Sequence, residues 1–304
     1  MAFPSLLHYR SACQRLTGFR SMAVTQSQNY QACVLRTGRR VLQQHGLGNS
    51  AIGSTCRTWE WQVGRRWHTS INRTPEFKKL TVDDILHFRS ILSPANVLTD
   101  LVSPANEAGA ATTRDKLAQY NTDWLKLFHG ASHTVLFPET TDQVASVLRY
   151  CAKHTIAVVP QGGNTCVTGA SVPVFDELIL SLSKMNQIRQ FCPSSGVLVC
   201  DAGCILQTVD HYLEPFGYTV PLDLAAKGSC QIGGNVATNA GGVHFIRYGS
   251  LRGTVLGLEV VLPTGDVMDN LFTLRKDNAG YDLKQLFIGS EGTLGVITGV
   301  ALQT

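Results

Sequence analysis

The sequence predicts an α+β fold of two successive α/β subdomains, set behind an N-terminal segment that takes no part in it. Three observations carry this. A strand–helix–strand pattern runs from His133 to Val159 and ends in a glycine-rich turn. A second set of apolar runs follows Ser195 and includes a hairpin signal at Pro263-Thr264-Gly265-Asp266. The first 75 residues hold ten arginines, no lysine and one acid, Glu60, a composition foreign to the rest of the chain. The full 304 residues suffice for one or two domains with sizeable cores.

Ahead of the first subdomain, Lys79 to Phe88 reads as a short helix with Leu80, Ile85 and Leu86 apolar. Ser103 to Thr113 is small and polar and reads as an exposed linker. A strand at His133–Phe137 opens the subdomain. Thr140 and Gln143 form a capping box before a helix that carries Val144, Val147, Leu148 and Cys151 on one face. The strand Ile156–Val159 runs into a glycine-rich segment, and Leu178–Leu182 is the next strand. In the second subdomain, Val197–Asp201 is a strand and Ile205–Leu213 an amphipathic helix. Thr254–Leu262 and Val267–Asp269 pair as a hairpin, Leu283–Ile288 is a short apolar element, and Leu294–Leu302 is the closing strand. The expected divisions are 1–70, 71–128 (a helical segment and linker) and 129–304, the last split into 129–193 and 194–304.

The formal net charge of +4 conceals an asymmetry. The first 75 residues carry +9, so residues 76–304 carry −5, which argues against a nucleic-acid-binding core. An arginine-rich, nearly acid-free leader with Ser and Thr has the composition of an organelle transit peptide; the alternative is a disordered basic tail. Arginines at 10, 15 and 20 among apolar residues are compatible with one amphipathic helix. No apolar run reaches the roughly eighteen residues of a membrane span. The nine cysteines, at 13, 33, 56, 151, 166, 192, 200, 204 and 230, form no Cys-x-x-Cys pair and suit a reducing interior. Cys200 and Cys204 lack a second ligand pair, and the nine histidines show no metal-ligand spacing, so no metal site is expected in these residues.

Two segments carry the chemistry. Gly228 to Gly242 holds five glycines and two asparagines in fifteen residues, with no charge and no proline. Pro160-Gln161-Gly162-Gly163-Asn164-Thr165-Cys166 follows a strand, and consecutive glycine-rich amides there form an anion-binding nest suited to a pyrophosphate. The pair reads as two long loops against which a flat, extended ligand lies close to the backbone. A Rossmann Gly-x-Gly-x-x-Gly and a Gly-Lys-Ser/Thr phosphate loop are both missing.

Over residues 75–304 the chain resembles the FAD-linked oxidases with a PCMH-type (vanillyl-alcohol-oxidase-type) FAD domain. The longest shared runs point to the D-2-hydroxyglutarate dehydrogenase branch. They are Pro160–Thr165, Ser171–Glu177, Pro221–Leu224, the fifteen-residue stretch, Arg247–Leu251, Arg275–Asn278 and Gly280–Gly295. The resemblance implies a PCMH-type FAD-binding domain with the flavin between the subdomains. Gly162, Gly163, Asn164, Thr165 and Cys166 would give amides to the pyrophosphate, and Pro160, Gly169 and Ser171 would also be cofactor-binding. Pro221, Leu222 and Asp223 would border the ring. Thr238, Asn239 and the neighbouring glycines, Gly233, Gly234, Gly241 and Gly242, would reach the ribityl and isoalloxazine groups, and Gly228, Ser229 and Asn235 would also be cofactor-binding. Glu291, Gly292 and Ile297 would approach the adenine side.

Relatives with covalent FAD carry a histidine where Asn164 stands, so binding is expected to be non-covalent. Cys166 departs from the family's usual glycine, His244 from an arginine and Arg252 from a histidine. Asp223 is equally read as a local cap, and Arg247 is expected to pair with a buried acid. The resemblance places the catalytic residues, the zinc-binding histidines and the groups that hold the substrate carboxylates beyond Thr304. No catalytic residue is therefore assigned here, and a truncated, inactive chain is expected. It further implies D-2-hydroxyglutarate as substrate, electron-transferring flavoprotein as acceptor and the mitochondrial matrix as location. A D-lactate or glycolate dehydrogenase, or a non-catalytic flavin-binding isoform, stays open.

Overall fold

The computed structural model describes residues 73–102 and 107–304, and the side chains within this range except those of 107–111. The expectation for residues 1–70 lies outside the described residues.

Thr81 opens α1, Val82–Ile91. Its side chain accepts from the Asp84 amide while Asp84 accepts from the Thr81 amide, a complete capping box. That cap starts the helix three residues later than the apolar spacing predicts. Ile85 and Phe88 are buried and Leu86 is exposed. β1, Val97–Thr99, follows. The expected linker at Ser103–Thr113 is corrected in its second half, where α2 spans Glu107–Asn121. The pattern hides this helix because Leu117 is the one buried apolar anchor among its described side chains.

β2 (Thr134–Leu136), α3 (Thr141–Lys153), β3 (Val158–Gln161) and β4 (Leu178–Ser181) form the expected β-α-β unit. Thr140 accepts from the Gln143 amide, but Gln143 Oε1 accepts from the Glu139 amide, so the box closes one residue early. The four-stranded sheet has order β1-β2-β4-β3, with β4 parallel to both neighbours. Alternation sorts its faces. Leu136, Leu178 and Leu180 join the main core with Val144, Val147, Leu148 and Cys151 of α3. Val135 and Ile179 face Leu117 of α2 on the other side. Burying Val144, Val147 and Leu148 of α3 stabilises the unit by roughly 1.5–3 kcal/mol each.

The second sheet is antiparallel with order β5-β6-β9-β7-β8. Its strands are β5 (Ile188–Cys192), β6 (Val197–Asp201), β7 (Val255–Val261), β8 (Val267–Asn270) and β9 (Val296–Gln303). Nothing in the pattern announces β5, a half-exposed edge, and it pairs with β6 ahead of the subdomain division expected near residue 194. β7 and β8 form the predicted hairpin. Between β6 and β7 lie α4 (Leu206–Leu213), α5 (Ile232–Ala237) and α6 (Phe245–Tyr248); one turn, α7 (Lys284–Phe287), precedes β9. One continuous core runs through both units, from Ile85 to Leu302.

A polar tie also joins them. Glu259 of β7 accepts from Thr141 at the start of α3 (2.7 Å), from Arg189 (2.9 Å) and from Thr298 (2.8 Å). Arg189 also bonds Asp201 at 2.6 Å. Burial alone would raise the Glu259 carboxyl; these donors hold it below its ordinary range.

Candidate functional site

The glycine segments meet across the seam between the two units. A cavity of about 560 Å³ opens there. The first unit contributes the loop after β3, from Pro160 to Ser171. The second contributes Ala202, Leu224–Ala226, α5 with Thr238, and the loop from Glu291 into β9.

The first loop is pinned by its own polar side chains. Asn164, held at φ +51°, donates to the carbonyls of Gln119 (3.2 Å) and Thr122 (2.8 Å) and accepts from Ser171 Oγ (2.8 Å). Gln161 donates to the carbonyls of Tyr120 (3.0 Å) and Ser171 (2.7 Å). Both side chains thereby satisfy carbonyls at the C-terminal end of α2, which a helix cannot bond internally. The amides of Gly163, Asn164, Thr165 and Cys166 donate to no group among the described residues and remain free for an anion.

Gly163 serves packing. A Cβ there would run into the Ser229 carbonyl oxygen and stand 3.1 Å from Cys230 Cα. The two glycine segments therefore touch backbone to backbone.

The Gly228–Gly242 segment is corrected from a loop to one containing α5. Glycine is costly inside a helix, by about 1 kcal/mol each. The helix forms because Ile232 and Val236 are fully buried on one face, and because the Ile232 and Gly233 amides bond the carbonyls of Cys204 and Ala202. Gly233 packs on Ala202, where a Cβ would approach Ala202 Cβ to 2.5 Å. Gly234 lines the cavity, and a Cβ there would meet nothing within 4 Å.

Of the expected residues, Pro160, Gly162, Gly163, Asn164, Thr165, Cys166 and Ser171 line the cavity from one side. Gly233, Gly234, Asn235, Thr238, Glu291, Gly292 and Ile297 line it from the other. The remainder stand behind this wall. Gly169, at φ +75°, packs on Phe128, and Gly228 lies against Gln207. Ser229 presents its carbonyl to Gly163, and Asn239 accepts from the Arg252 amide. Gly241 packs on Phe245, and Gly242 on the Asp223 carbonyl. Pro221 and Leu222 are buried, while Asp223 pairs with Lys227 at 3.1 Å. Leu224–Ala226, the next three residues, take the lining place expected of Pro221–Asp223.

Arg247 lies over the Tyr248 ring at 5.0 Å, which corrects the expected pairing with a buried acid. Arg252 staples α7, donating to Gln285 Oε1 at 2.5 Å and the Ile288 carbonyl at 2.6 Å. Sequence reasoning passed over Gln161 and Gln231, whose buried Oε1 atoms have no partner, and the small residues Ala202, Ala237 and Ala240. A signal existed for Gln161 and Gln231, because each adjoins a quoted glycine pair or lies inside the glycine stretch.

Glu291 is the one formally charged residue among those lining the cavity. It is held at φ +52°, its amide donates to the Ala237 carbonyl at 2.9 Å, and burial pushes its carboxyl above the ordinary range. Among the described residues, no group of three or more His, Cys, Asp or Glu is arranged to hold a metal ion, and no helix is long and apolar enough to cross a membrane.

The wall fits a long anionic ligand. Its volume lies within the roughly 300–1,000 Å³ of small-molecule sites. Unbonded amides of the glycine loop line one side, and α5 with Thr238 contributes Gly233, Gly234, Asn235 and Ala237 to the other. These features define the class of a dinucleotide-binding domain built without a Rossmann motif.

Comparison with known proteins narrows the class. Residues 132–270 match the family described as "FAD binding domain". D-2-hydroxyglutarate dehydrogenase, mitochondrial, of Danio rerio is 56% identical over 226 residues, covering 74% of this chain and 40% of that protein. D-2-hydroxyglutarate–pyruvate transhydrogenase of Saccharomyces cerevisiae is 49% identical over 241 residues, covering 79% and 46%. A solved alkyldihydroxyacetonephosphate synthase superposes with a TM-score of 0.61 at 19% identity, over 76% of this chain and 42% of that one. That likeness shows the fold alone, the expected PCMH-type one. Residues 132–270 thus match the FAD binding domain family, and the chain is similar to D-2-hydroxyglutarate dehydrogenases over about three quarters of its length. It spans less than half the length of the curated relatives it matches.

Proposed function

We propose that this chain is the FAD-holding part of a dehydrogenase that oxidises D-2-hydroxyglutarate to 2-oxoglutarate. The cavity lined by both glycine segments is the observation that carries this reading. The amides of Gly163 to Cys166 hold the pyrophosphate, and Gly234 with Thr238 gives the flat face on which the ring lies. When bound, FAD supplies the acceptor for the hydride that leaves the substrate Cα.

This chain's residues bind and orient. Asn164 keeps the nest in shape through three hydrogen bonds and leaves no histidine to form a link, so the cofactor is held non-covalently. A 2-hydroxy diacid also needs cations for two carboxylates and a base for its hydroxyl proton. No Lys, Arg or His is among the residues lining the cavity. In this reading those groups, with the zinc-binding histidines the resemblance implies, belong to the further half that relatives of this kind carry.

Electron-transferring flavoprotein is the acceptor implied by resemblance. The transhydrogenase relative favours a second reading, in which a 2-oxo acid such as pyruvate takes the electrons. Turnover with each acceptor in turn separates the two. The matrix location rests on the arginine-rich leader and is tested by fusing residues 1–70 to a fluorescent reporter; diffuse cytosolic signal refutes it.

The central test is direct. Purified protein should carry flavin absorbance, and acid precipitation should release a yellow supernatant. Colour retained in the pellet refutes the non-covalent part. No absorbance after incubation with excess FAD refutes the reading itself.

A further inference from the structure

Between β8 and α7, Phe272–Leu283 is a run of twelve consecutive exposed residues without helix or strand. Segments of this kind are uncommon in compact domains, and where they occur they serve as lids or binding loops. Its apolar side chains stand in water: Phe272, Leu274 (71% exposed), Tyr281 (96%) and Leu283. From Phe272 to Gly280 the only hydrogen bond among the described residues is internal, from the Ala279 amide to Asp277. Arg275 and Lys276, near its middle, have neither an ion-pair nor a hydrogen-bond partner among the described residues.

Its C-terminal root is fixed at the edge of the cavity. Arg252 donates to Gln285 and to the Ile288 carbonyl at the end of α7, while its own amide donates to Asn239. Asn239 precedes Ala240, which lines the cavity. The N-terminal root lies on β7, where a Cβ on Gly257 would come within 2.5 Å of the Phe272 amide nitrogen. Twelve residues tethered at both ends reach about 20 Å from their roots. α6 stands at the same edge, since Phe245 packs on Gly241, the residue after Ala240. It too leaves apolar groups uncovered: Val243 (76% exposed) just before it, Phe245, and Ile246 (100%). Two uncovered apolar surfaces tied to one turn are stabilised by burying each other.

Charge is complementary as well. The residues lining the cavity include no Lys, Arg or His, and the acid Glu291 is the one formal charge among them, yet the ligand assigned to the cavity is an anion. A segment with two adjacent unpaired cations carries what that wall lacks.

We propose that Phe272–Leu283 is a lid. With ligand in the cavity it folds across the cavity edge onto α6, packs its apolar side chains on Phe245 and Ile246, and brings Arg275 and Lys276 to the anionic groups of the ligand. The inference rests on the FAD-binding reading above. That reading offers two sources of the anion, the pyrophosphate of the dinucleotide and the carboxylates of the diacid.

Limited trypsin digestion with peptide mass mapping reads cleavage after Arg275 and Lys276. An exposed irregular segment is cut in the folded protein, without global unfolding. A lid closed roughly nine-tenths of the time slows that cleavage about tenfold. Protection by FAD alone assigns the cations to the pyrophosphate. Protection that requires FAD with 2-oxoglutarate assigns them to the carboxylates. Unchanged cleavage with both ligands, while fluorescence quenching shows FAD bound, overturns the lid and leaves the FAD reading standing. If FAD does not bind, both fall. The second arm uses chymotrypsin, which cuts at Phe272, Leu274 and Tyr281, on wild type, on the Arg275→Gln/Lys276→Gln double variant and on Ile246→Ser. These side chains are exposed, so the changes leave the fold intact. Both variants should lose the ligand-dependent protection that wild type shows. Full protection retained in either one overturns the inference.

Discussion

A single methyl group placed on Gly234 and, separately, on Gly163 distinguishes the two jobs that glycine does at this site. At Gly234 the new Cβ meets nothing within 4 Å and points into the cavity wall region. The backbone there is helical, so alanine should raise the stability of the free protein by about 0.8–1.0 kcal/mol. For a domain of this size that is about 2–4 °C in Tm. The same methyl narrows the face offered to the ring, at about 1–3 kcal/mol of overpacking in the complex. At Gly163 the Cβ runs into the Ser229 carbonyl, with Cys230 Cα 3.1 Å away, and neither can rotate aside. Alanine there should destabilise the free protein by about 1–3 kcal/mol as the two segments are driven apart.

Thermal melts with and without FAD read both effects. FAD at a hundredfold excess over its Kd stabilises wild type by roughly 2.7 kcal/mol, and each tenfold loss of affinity removes about 1.4 kcal/mol of that. Gly234→Ala should therefore melt higher without FAD yet gain less from it. Gly163→Ala should melt lower without it. A full FAD shift in Gly234→Ala would show that this helix face does not border the ligand. An unchanged melt in Gly163→Ala would refute the backbone contact between the segments.

Acid stability should follow the polar tie between the units. The folded Glu259 carboxyl lies below its ordinary 4.5, so the stability it contributes is complete above that pH and is lost as pH falls through the lowered folded value. Asp84, which burial opposes but Lys78, Tyr150 and Thr81 hold down at about 2, adds a loss between 3.8 and 2. Glu259→Gln should flatten the melting curve just below pH 4.5, and an undiminished slope there would exclude Glu259 as its source. Among the cysteines, Cys192, lowered to about 7 by the Ser194 and Ser195 hydroxyls, should be alkylated by iodoacetamide with a midpoint near pH 7, whereas burial pushes Cys151 up to about 12. Peptide mass mapping checks the order, and equal labelling of the two would contradict it.

Periodicity made most of the architecture legible. The α3 face of Val144, Val147, Leu148 and Cys151, the mostly apolar, buried runs of β4, β6 and β9, and the β7–β8 hairpin are local patterns whose period matches the structure that buries them. The glycine segments were legible as backbone-exposing surfaces for the same reason, because residue type states what a position lacks. What only the tertiary structure decided is which glycine serves which contact. Gly163 and Gly233 admit neighbouring protein, Gly234 opens on the cavity, and Gly242 stands behind it. Sequence cannot separate these, since each depends on what another segment brings to the absent Cβ. α2 and β5 were invisible because one carries a single buried anchor and the other is a half-exposed edge, so pairing partners set them in place. The same holds for α5. Two glycines argue against a helix, and burial of Ile232 and Val236 together with the carbonyls of Cys204 and Ala202 outweighs them, because tertiary contacts exceed the propensity cost of about 1 kcal/mol per glycine.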